Sequence, residues 1–203
     1  MLSSQHSQAF DNWYANCPGL KVVVVSNPYD AKGLLKSAIR DNDPVLFFEH
    51  KGLYAAKGEV EDGEIVDTLG SAKIVRPGKD ATILALALMV PRALAAAEKL
   101  QAEHGINVEV IDVRSLVPID TKTILASVAR TSRLFTVEEN PRLCGWGAEL
   151  VSIVVDEAFY SLDGPPIRIT TPHIPLPAAE RLEDLAIPSI ERIAETVRKS
   201  LAA

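Results

Sequence analysis

His6, in the run Gln5-His6-Ser7-Gln8, stands just ahead of a predicted helix over residues 7–17. Imidazole changes charge near neutral pH, so a loop histidine at a helix start suits acid/base work facing a ligand. The same placement suits a solvent-exposed or capping histidine, and local sequence leaves both readings open. Glu138 and Glu139 end a predicted strand, Leu134–Glu138. Two adjacent carboxylates there could bind a basic partner or cap the next helix, and again both readings stand. Asp112 and Arg114 read as a structural pair at a strand end. His50, His104 and His173 have no partner at a metal-binding spacing. His104, next to Gly105, reads as an exposed helix end. Gly145-Trp146-Gly147 is not a dinucleotide fingerprint, because Leu150 replaces the third glycine and Glu138, Glu139 and Glu149 would repel a pyrophosphate. These glycines read as a tight turn before a helix. There is no G-x-S-x-G elbow, phosphate-binding P-loop or H-E-x-x-H pair.

The elements that must position these residues are organised around 107–120, NVEVIDVRSLVPID. An apolar strand ends at Asp112, Arg114 and Pro118, and Asp120 can cap a helix starting at Thr121. Buried strands ending in charged loops between helices are the unit of an α/β domain, whose ligands gather at the strands' carboxyl ends. Phe10, Trp13, Tyr14 and Cys17 share one face of the 7–17 helix. Lys21–Ser26 and Pro44–Glu49 are unalternating apolar runs, read as strands buried on both faces. Between them Asp30 can cap a helix to Arg40 that buries Leu34, Leu35, Ala38 and Ile39.

Residues 51–70, rich in glycine and carboxylates, read as a linker. Residues 71–203 hold a second set: strands at 72–75, 81–87, 106–111, 134–138 and 167–170, with helices at 91–103, 121–130, 147–160 and 189–202. Gly105 sits where a C-cap glycine belongs. The second set reads as complete. The first has too few strands for a free-standing parallel sheet, so the chain reads as beginning in the middle of a domain.

Composition excludes several classes. With 203 residues, 47% hydrophobic and 24% charged, this is a globular chain. A formal charge of -6 argues against a nucleic-acid or anionic-membrane partner. No apolar run reaches the ~20 residues that span a bilayer, and MLSSQHSQ lacks a secretory pattern. Cys17 and Cys144 read as isolated thiols of a reducing compartment rather than a disulfide.

The run HSQAFDNWYANCPGLKVVVVSNPYDAKGLLKSAIRDNDPVLFFEHKGLY resembles the β subunit of the thiamin-diphosphate-dependent first component of 2-oxo acid and acetoin dehydrogenase complexes. VIDVRSLVPIDTKTI, VEENPRLCGWGAEL and TPHIPLP resemble the transketolase-type carboxyl-terminal domain of the same subunit. The resemblance implies an α/β fold: a partial parallel-sheet pyrimidine-binding domain over 1–50, a linker over 51–70, and a transketolase carboxyl-terminal domain over 71–203 with a mostly parallel five-stranded sheet. It implies carbon–carbon cleavage of acetoin or pyruvate and passage of the acyl group to lipoamide. His6 then matches the family's active-site histidine. Ala38, Asp41 and Asp43 match positions whose backbone carbonyls hold a potassium ion. The glutamate that activates the thiamin aminopyrimidine would lie in the other half of the first domain, and the diphosphate and magnesium motif in the α subunit. The implied partners are an α subunit, a second β subunit (a heterotetramer) and a lipoyl-bearing acyltransferase core, with no nucleic acid and no membrane. The implied location is bacterial cytoplasm or the mitochondrial matrix. GLYAAKGEV, ENPRLCG and TPHIPLP look most like the acetoin branch, ahead of pyruvate and branched-chain 2-oxo acids, although the histidine in TPH departs from the TPD form common in the 2-oxo acid branches. The remaining readings are a non-catalytic assembly module and an unrelated flavodoxin-like domain. On this resemblance the chain by itself is expected to be inactive.

Overall fold

The computed structural model describes residues 6–202. Residues 1–5, which carry most of the stretch judged not to be a secretory signal, lie outside the described residues. Two sheets organise the chain. The first has three strands in the order β2 (Val45–Glu49), β1 (Lys21–Val25), β6 (Ser115–Val117). The second has five, in the order β3 (Lys73–Arg76), β5 (Val108–Asp112), β4 (Ala81–Ala85), β7 (Leu134–Pro141), β8 (Ile167–Thr171). Only β3 runs antiparallel in the larger sheet. The expected mostly parallel five-stranded sheet is therefore present.

Helices cover both faces of that sheet. α3 (Met89–His104) and α7 (Ile190–Leu201) pack on one side with Ala93, Leu100, Ile193 and Val197 at their contact. α4 (Thr121–Thr131) and α5 (Trp146–Ala158) cover the other through Ile124, Val128, Leu150 and Val154. Val22 and Val24 of β1 belong to this second core, while Val23 and Val25 lie with Leu34 under α2 (Pro28–Arg40). The unbroken valine run thus has both faces buried, as the absence of alternation predicts. Gly105 ends α3 in the left-handed region at φ 69°, and Asp120 caps α4 by accepting the Thr123 N–H at 3.0 Å.

Several elements differ from the sequence reading. The first helix, α1, spans only Asp11–Ala15; Trp13 faces outward, 71% exposed, while Tyr14 leans on Phe48 and Ala15 packs against the second core. Asn27, not Asp30, caps α2: its side-chain Oδ1 accepts the Asp30 N–H at 2.9 Å. Leu34 of α2 is buried, but Leu35 and Ile39 face outward, with Ile39 75% exposed. A further helix, α6 (Glu180–Ala186), follows the proline-rich loop. Cys17 and Cys144 are free and exposed.

The largest difference lies in the organising stretch. After Asp112 the chain turns through Arg114, at φ 59°, and forms β6, which pairs antiparallel with β1. One loop of the second set therefore supplies a strand to the first sheet. A left-handed non-glycine residue costs roughly 1–2 kcal/mol, and Arg114 is held there by ionic contacts. Its guanidinium donates to Asp30 at 3.1 Å, to Asp67 and to the Ser71 carbonyl at 2.8 Å. Asp30 is fully buried and Arg114 nearly so. Asp67 lies in the segment read as a linker. That segment has one short 3₁₀ turn, Lys51–Leu53, and buries Ile65 against Gly33 of α2; the Ser37 hydroxyl holds the Asp67 carbonyl and Arg114 its carboxylate, so it is pinned along α2.

Candidate active-site cleft

Parallel strands carry their carboxyl ends to one edge of a sheet, and here the two sheets bring those edges together. A cleft of about 370 Å³ opens between them. Val24, Phe48 and Glu49 reach it from the ends of β1 and β2, Leu86–Leu88 from the loop after β4, and Val137, Glu139 and Asn140 from β7. Trp146 at the start of α5, the segment 6–11, and Glu183, Asp184 and Ile187 complete the wall.

His6 lies at this cleft and is exposed. Asp11, the first residue of α1, also lines it but is buried. Desolvation is the main cause that pushes the Asp11 carboxyl up to about 6, and the charges of Glu139 and Glu138 push the same way.

The adjacent glutamates have separate tasks. Glu138 is fully buried and satisfied: Arg168 grips it with Nε at 2.8 Å and Nη2 at 2.9 Å, and Thr136, Asn140 and the Gly147 N–H donate to it. It ties β7, β8 and the start of α5 together. Gly147 is required there, because a Cβ at that position would overlap the Glu138 carboxylate and the Thr136 hydroxyl. Glu139 faces the cleft instead. His50 Nε2 lies 2.9 Å from one of its oxygens and 3.0 Å from the other. The Gly52 N–H donates to His50 Nδ1 at 3.0 Å, so that nitrogen carries no proton and Nε2–H is the donor to Glu139. This bond joins the end of β2 to the end of β7 across the cleft.

Sequence reading singles out His6 and Glu139, but not Asp11 or the pairing of His50 with Glu139. The signal for His50 was its place directly after a buried strand, where ligands gather in parallel sheets.

Ala38, Asp41 and Asp43 are not near His6. They lie where α2 turns into β2, at the opposite edge of the first sheet. Lys21 at the start of β1 reaches both carboxylates, Asp41 at 2.7 Å and Asp43 at 3.0 Å. The hydrogen bonds to Asp41 and then Asp43 raise the Lys21 pKa, and the bond from Lys21 lowers that of Asp41. A resident ammonium therefore neutralises the side chains. What remains for a cation is the main-chain carbonyls, and that of Ala38 is only loosely engaged, by the Asp41 N–H at 3.4 Å. Among the described residues no cluster of three or more histidine, cysteine or carboxylate side chains could hold a metal.

The fold and its cleft can be set beside known proteins. Residues 70–193 match the model of the transketolase C-terminal domain, and residues 1–57 that of the transketolase pyrimidine-binding domain. The chain belongs to the transketolase C-terminal-domain family. Its relatives include the β subunit of acetoin:2,6-dichlorophenolindophenol oxidoreductase of Cupriavidus necator, 46% identical over 98% of this chain and 59% of that subunit. The mitochondrial pyruvate dehydrogenase E1 component subunit beta-1 of Arabidopsis thaliana is 48% identical over 98% of this chain and 56% of its own length. The chain thus spans a little over half the length of these relatives. Among solved structures, a split-gene transketolase described as an inactive β4 tetramer superposes with a TM-score of 0.79 at 24% identity, over 98% of this chain and 63% of the other. That likeness shows the transketolase fold. No helix among the described residues is long and apolar enough to cross a membrane.

Proposed function

We propose that this chain is β-subunit sequence of a thiamin-diphosphate-dependent dehydrogenase acting on acetoin or pyruvate, with His6 as its catalytic acid/base. The observation that carries this reading is the place of His6, at a cleft formed by the carboxyl ends of four parallel strands. The named activities of the relatives support it.

The lining fits one part of the cofactor and not another. Val24, Phe48 and Leu86 offer an apolar wall for an aromatic ring, and Asp11 and Glu139 favour a cationic one such as a thiazolium. The same carboxylates oppose a diphosphate, so the diphosphate and magnesium are assigned to an α subunit. When bound, the cofactor supplies the carbon nucleophile for carbon–carbon cleavage. His6 delivers or accepts a proton through an imidazole nitrogen at the cleft mouth. Glu139 orients His50, and Leu86, Val137 and Ile187 limit water. The two electrons and the acyl group pass to the disulfide of lipoamide: one sulfur takes the acyl group and the other a proton.

Further parts of the reading follow. Residues 1–50 are half of a pyrimidine-binding domain and 71–203 a transketolase carboxyl-terminal domain. The outward Trp13, Leu35 and Ile39 suit contact with an α or second β subunit. The carbonyls of Ala38, Asp41 and Asp43 supply part of a potassium site, the acyltransferase core is the acyl acceptor's carrier, and the complex works in bacterial cytoplasm or the mitochondrial matrix. The test is His6→Ala in the full-length polypeptide co-expressed with an α subunit. Turnover should fall by about 10²–10⁴-fold, with unchanged melting and little change in cofactor affinity. Normal turnover with both an artificial acceptor and a lipoyl domain would show that His6 is not catalytic.

A further inference from the structure

Where the two sheets join, Asp112 ends β5 with no exposed surface. Charged groups face it from the elements packed around it: Asp30 from α2, Arg114 from the turn into β6, and Lys73 from β3, whose backbone pairs with that of Asp112. Asp67, on the segment 51–70, joins the cluster through Arg114. Lys73 Nζ lies 3.4 Å from Asp30 and 4.9 Å from the centre of the Tyr29 ring. Ser26, just after β1, shares a hydrogen bond with Asp112. That bond survives either protonation state, because a hydroxyl can donate or accept.

The cluster is neutral when it holds one proton. Three carboxylates, Asp30, Asp67 and Asp112, stand against two cations, Arg114 and Lys73. Without a proton on Asp112 one negative charge is left over in a buried site, where repulsion is poorly screened. The least costly relief is to hydrate the carboxylate nearest to water. Asp30 and Asp112 have no exposed surface, whereas the Asp67 side chain is 27% exposed. Arg114 divides one guanidinium nitrogen between Asp30 and Asp67. Elsewhere Asp67 is held by the Ser37 hydroxyl on its carbonyl and by a long bond, 3.5 Å, from its N–H to the Gly33 carbonyl.

We propose that this cluster is a proton-operated latch on the connection between the two sheets. With the proton bound, Arg114 grips Asp67 and residues 66–70 lie tight along α2. Without it, Arg114 gives its charge to Asp112, Asp67 turns to water, and 66–70 slackens. Ile65 stays buried on one side of the slack, and Gly70, where a Cβ would strike Pro118, bounds it on the other. The direction follows from linkage. With the latch closed, Asp112 stands at about 7, raised chiefly by burial, with Asp30 pushing the same way. An open latch gives Asp112 more of Arg114 and so a lower pKa. The proton therefore favours the closed form, and rising pH favours the open form until about 7, above which both are ionised. The cleft lies between the same two sheets, so a joint that is stiff below neutrality and looser above it sets how freely the cleft walls part. The inference holds whichever reaction the cleft carries.

The experiment uses the whole chain with Cys17→Ser, Cys144→Ser and Thr68→Cys, a nitroxide spin label on the exposed position 68, and paramagnetic resonance spectra across roughly pH 5–9. The label should be tight at low pH. The ratio of mobile to tight label should rise by about tenfold per pH unit on the approach to 7 and level off above it. Asp112→Asn should hold the label tight throughout, which also separates the effect from Asp11, whose carboxyl titrates lower, at about 6. Asp67→Asn should leave it mobile throughout, a readout that survives if Asp112→Asn fails to fold. A spectrum of the otherwise unaltered chain that does not change with pH overturns the latch. So does the same rise in Asp112→Asn, or a label as tight in Asp67→Asn at low pH as without that change.

Discussion

Replacing Asp112 with asparagine should make the protein more stable at pH 8, although it alters a fully buried, hydrogen-bonded side chain. Asp112 ends β5 with no exposed surface. The Ser26 hydroxyl donates to one of its oxygens, and the Arg114 N–H donates to the other at 3.1 Å. Burial is the dominant influence and, with Asp30 nearby, raises its pKa from 3.8 to about 7 against the opposing pull of Ser26 and Arg114. Below pH 3.8 both the folded and the unfolded chain hold this proton. Between 3.8 and about 7 only the folded chain holds it, so stability falls as pH rises, and above about 7 the loss is complete. A shift of this size corresponds to at most about 4 kcal/mol at 1.36 kcal/mol per unit, and a net effect of about 2–4 kcal/mol is expected. Asparagine keeps the shape: Oδ1 accepts from the Arg114 N–H, and Nδ2 donates to the Ser26 oxygen. Arg114 retains Asp30 and Asp67. Urea unfolding at pH steps from 4 to 8 measures the difference. The unaltered protein should lose stability across that range, while Asp112→Asn should keep only the smaller decline due to Asp11, raised to about 6. Parallel profiles, or a variant that is less stable at pH 8, would refute the assignment of a costly buried charge to this position.

Glu138→Ala should cost about 3–5 kcal/mol by stranding the largely buried Arg168 guanidinium, seen as a lower urea midpoint with the cleft mouth at Trp146 disordered in tryptophan fluorescence. Ser132→Gly should stabilise by roughly 0.5–1 kcal/mol, since Ser132 closes α4 in the left-handed region at φ 55°. Thermal melting checks it, and a lower melting temperature would count against backbone strain at that cap.

Much of the second sheet was legible because its signals are local. ATILA and VEVID are runs without alternation, and Gly105 and Asp120 sit beside the helices they cap. The misread features depend on partners far along the chain. Asp30 looks like a cap until Arg114, 84 residues away, takes its carboxylate. Ser115–Val117 looks like loop because three residues between charged and proline neighbours carry little pattern, and only pairing with β1 makes them a strand. The apolar stripe of Phe10, Trp13 and Tyr14 has helical spacing, but spacing does not reveal which side meets the core. In the cleft, His6 is singled out only by the family resemblance of the sequence around it, because its local sequence also fits an exposed helix-start histidine. His50 and Glu139 are 89 residues apart, and neither has a neighbour that announces the other.

The pairing of β6 with β1 also sets an order of events during synthesis. Ser115 donates to the Val22 carbonyl across 93 residues of chain. A ribosome adding about 5–20 residues per second takes roughly 5–20 s to make the intervening segment. For that interval the valine run 22–25 has left the ribosome with one edge unpaired and with α4 and α5, which cover its inner face, still unmade. The nascent chain is therefore a natural client for chaperones that bind extended apolar segments. Slower translation through residues 26–114 should lengthen that dependence, whereas slowing after residue 160 should leave it unchanged.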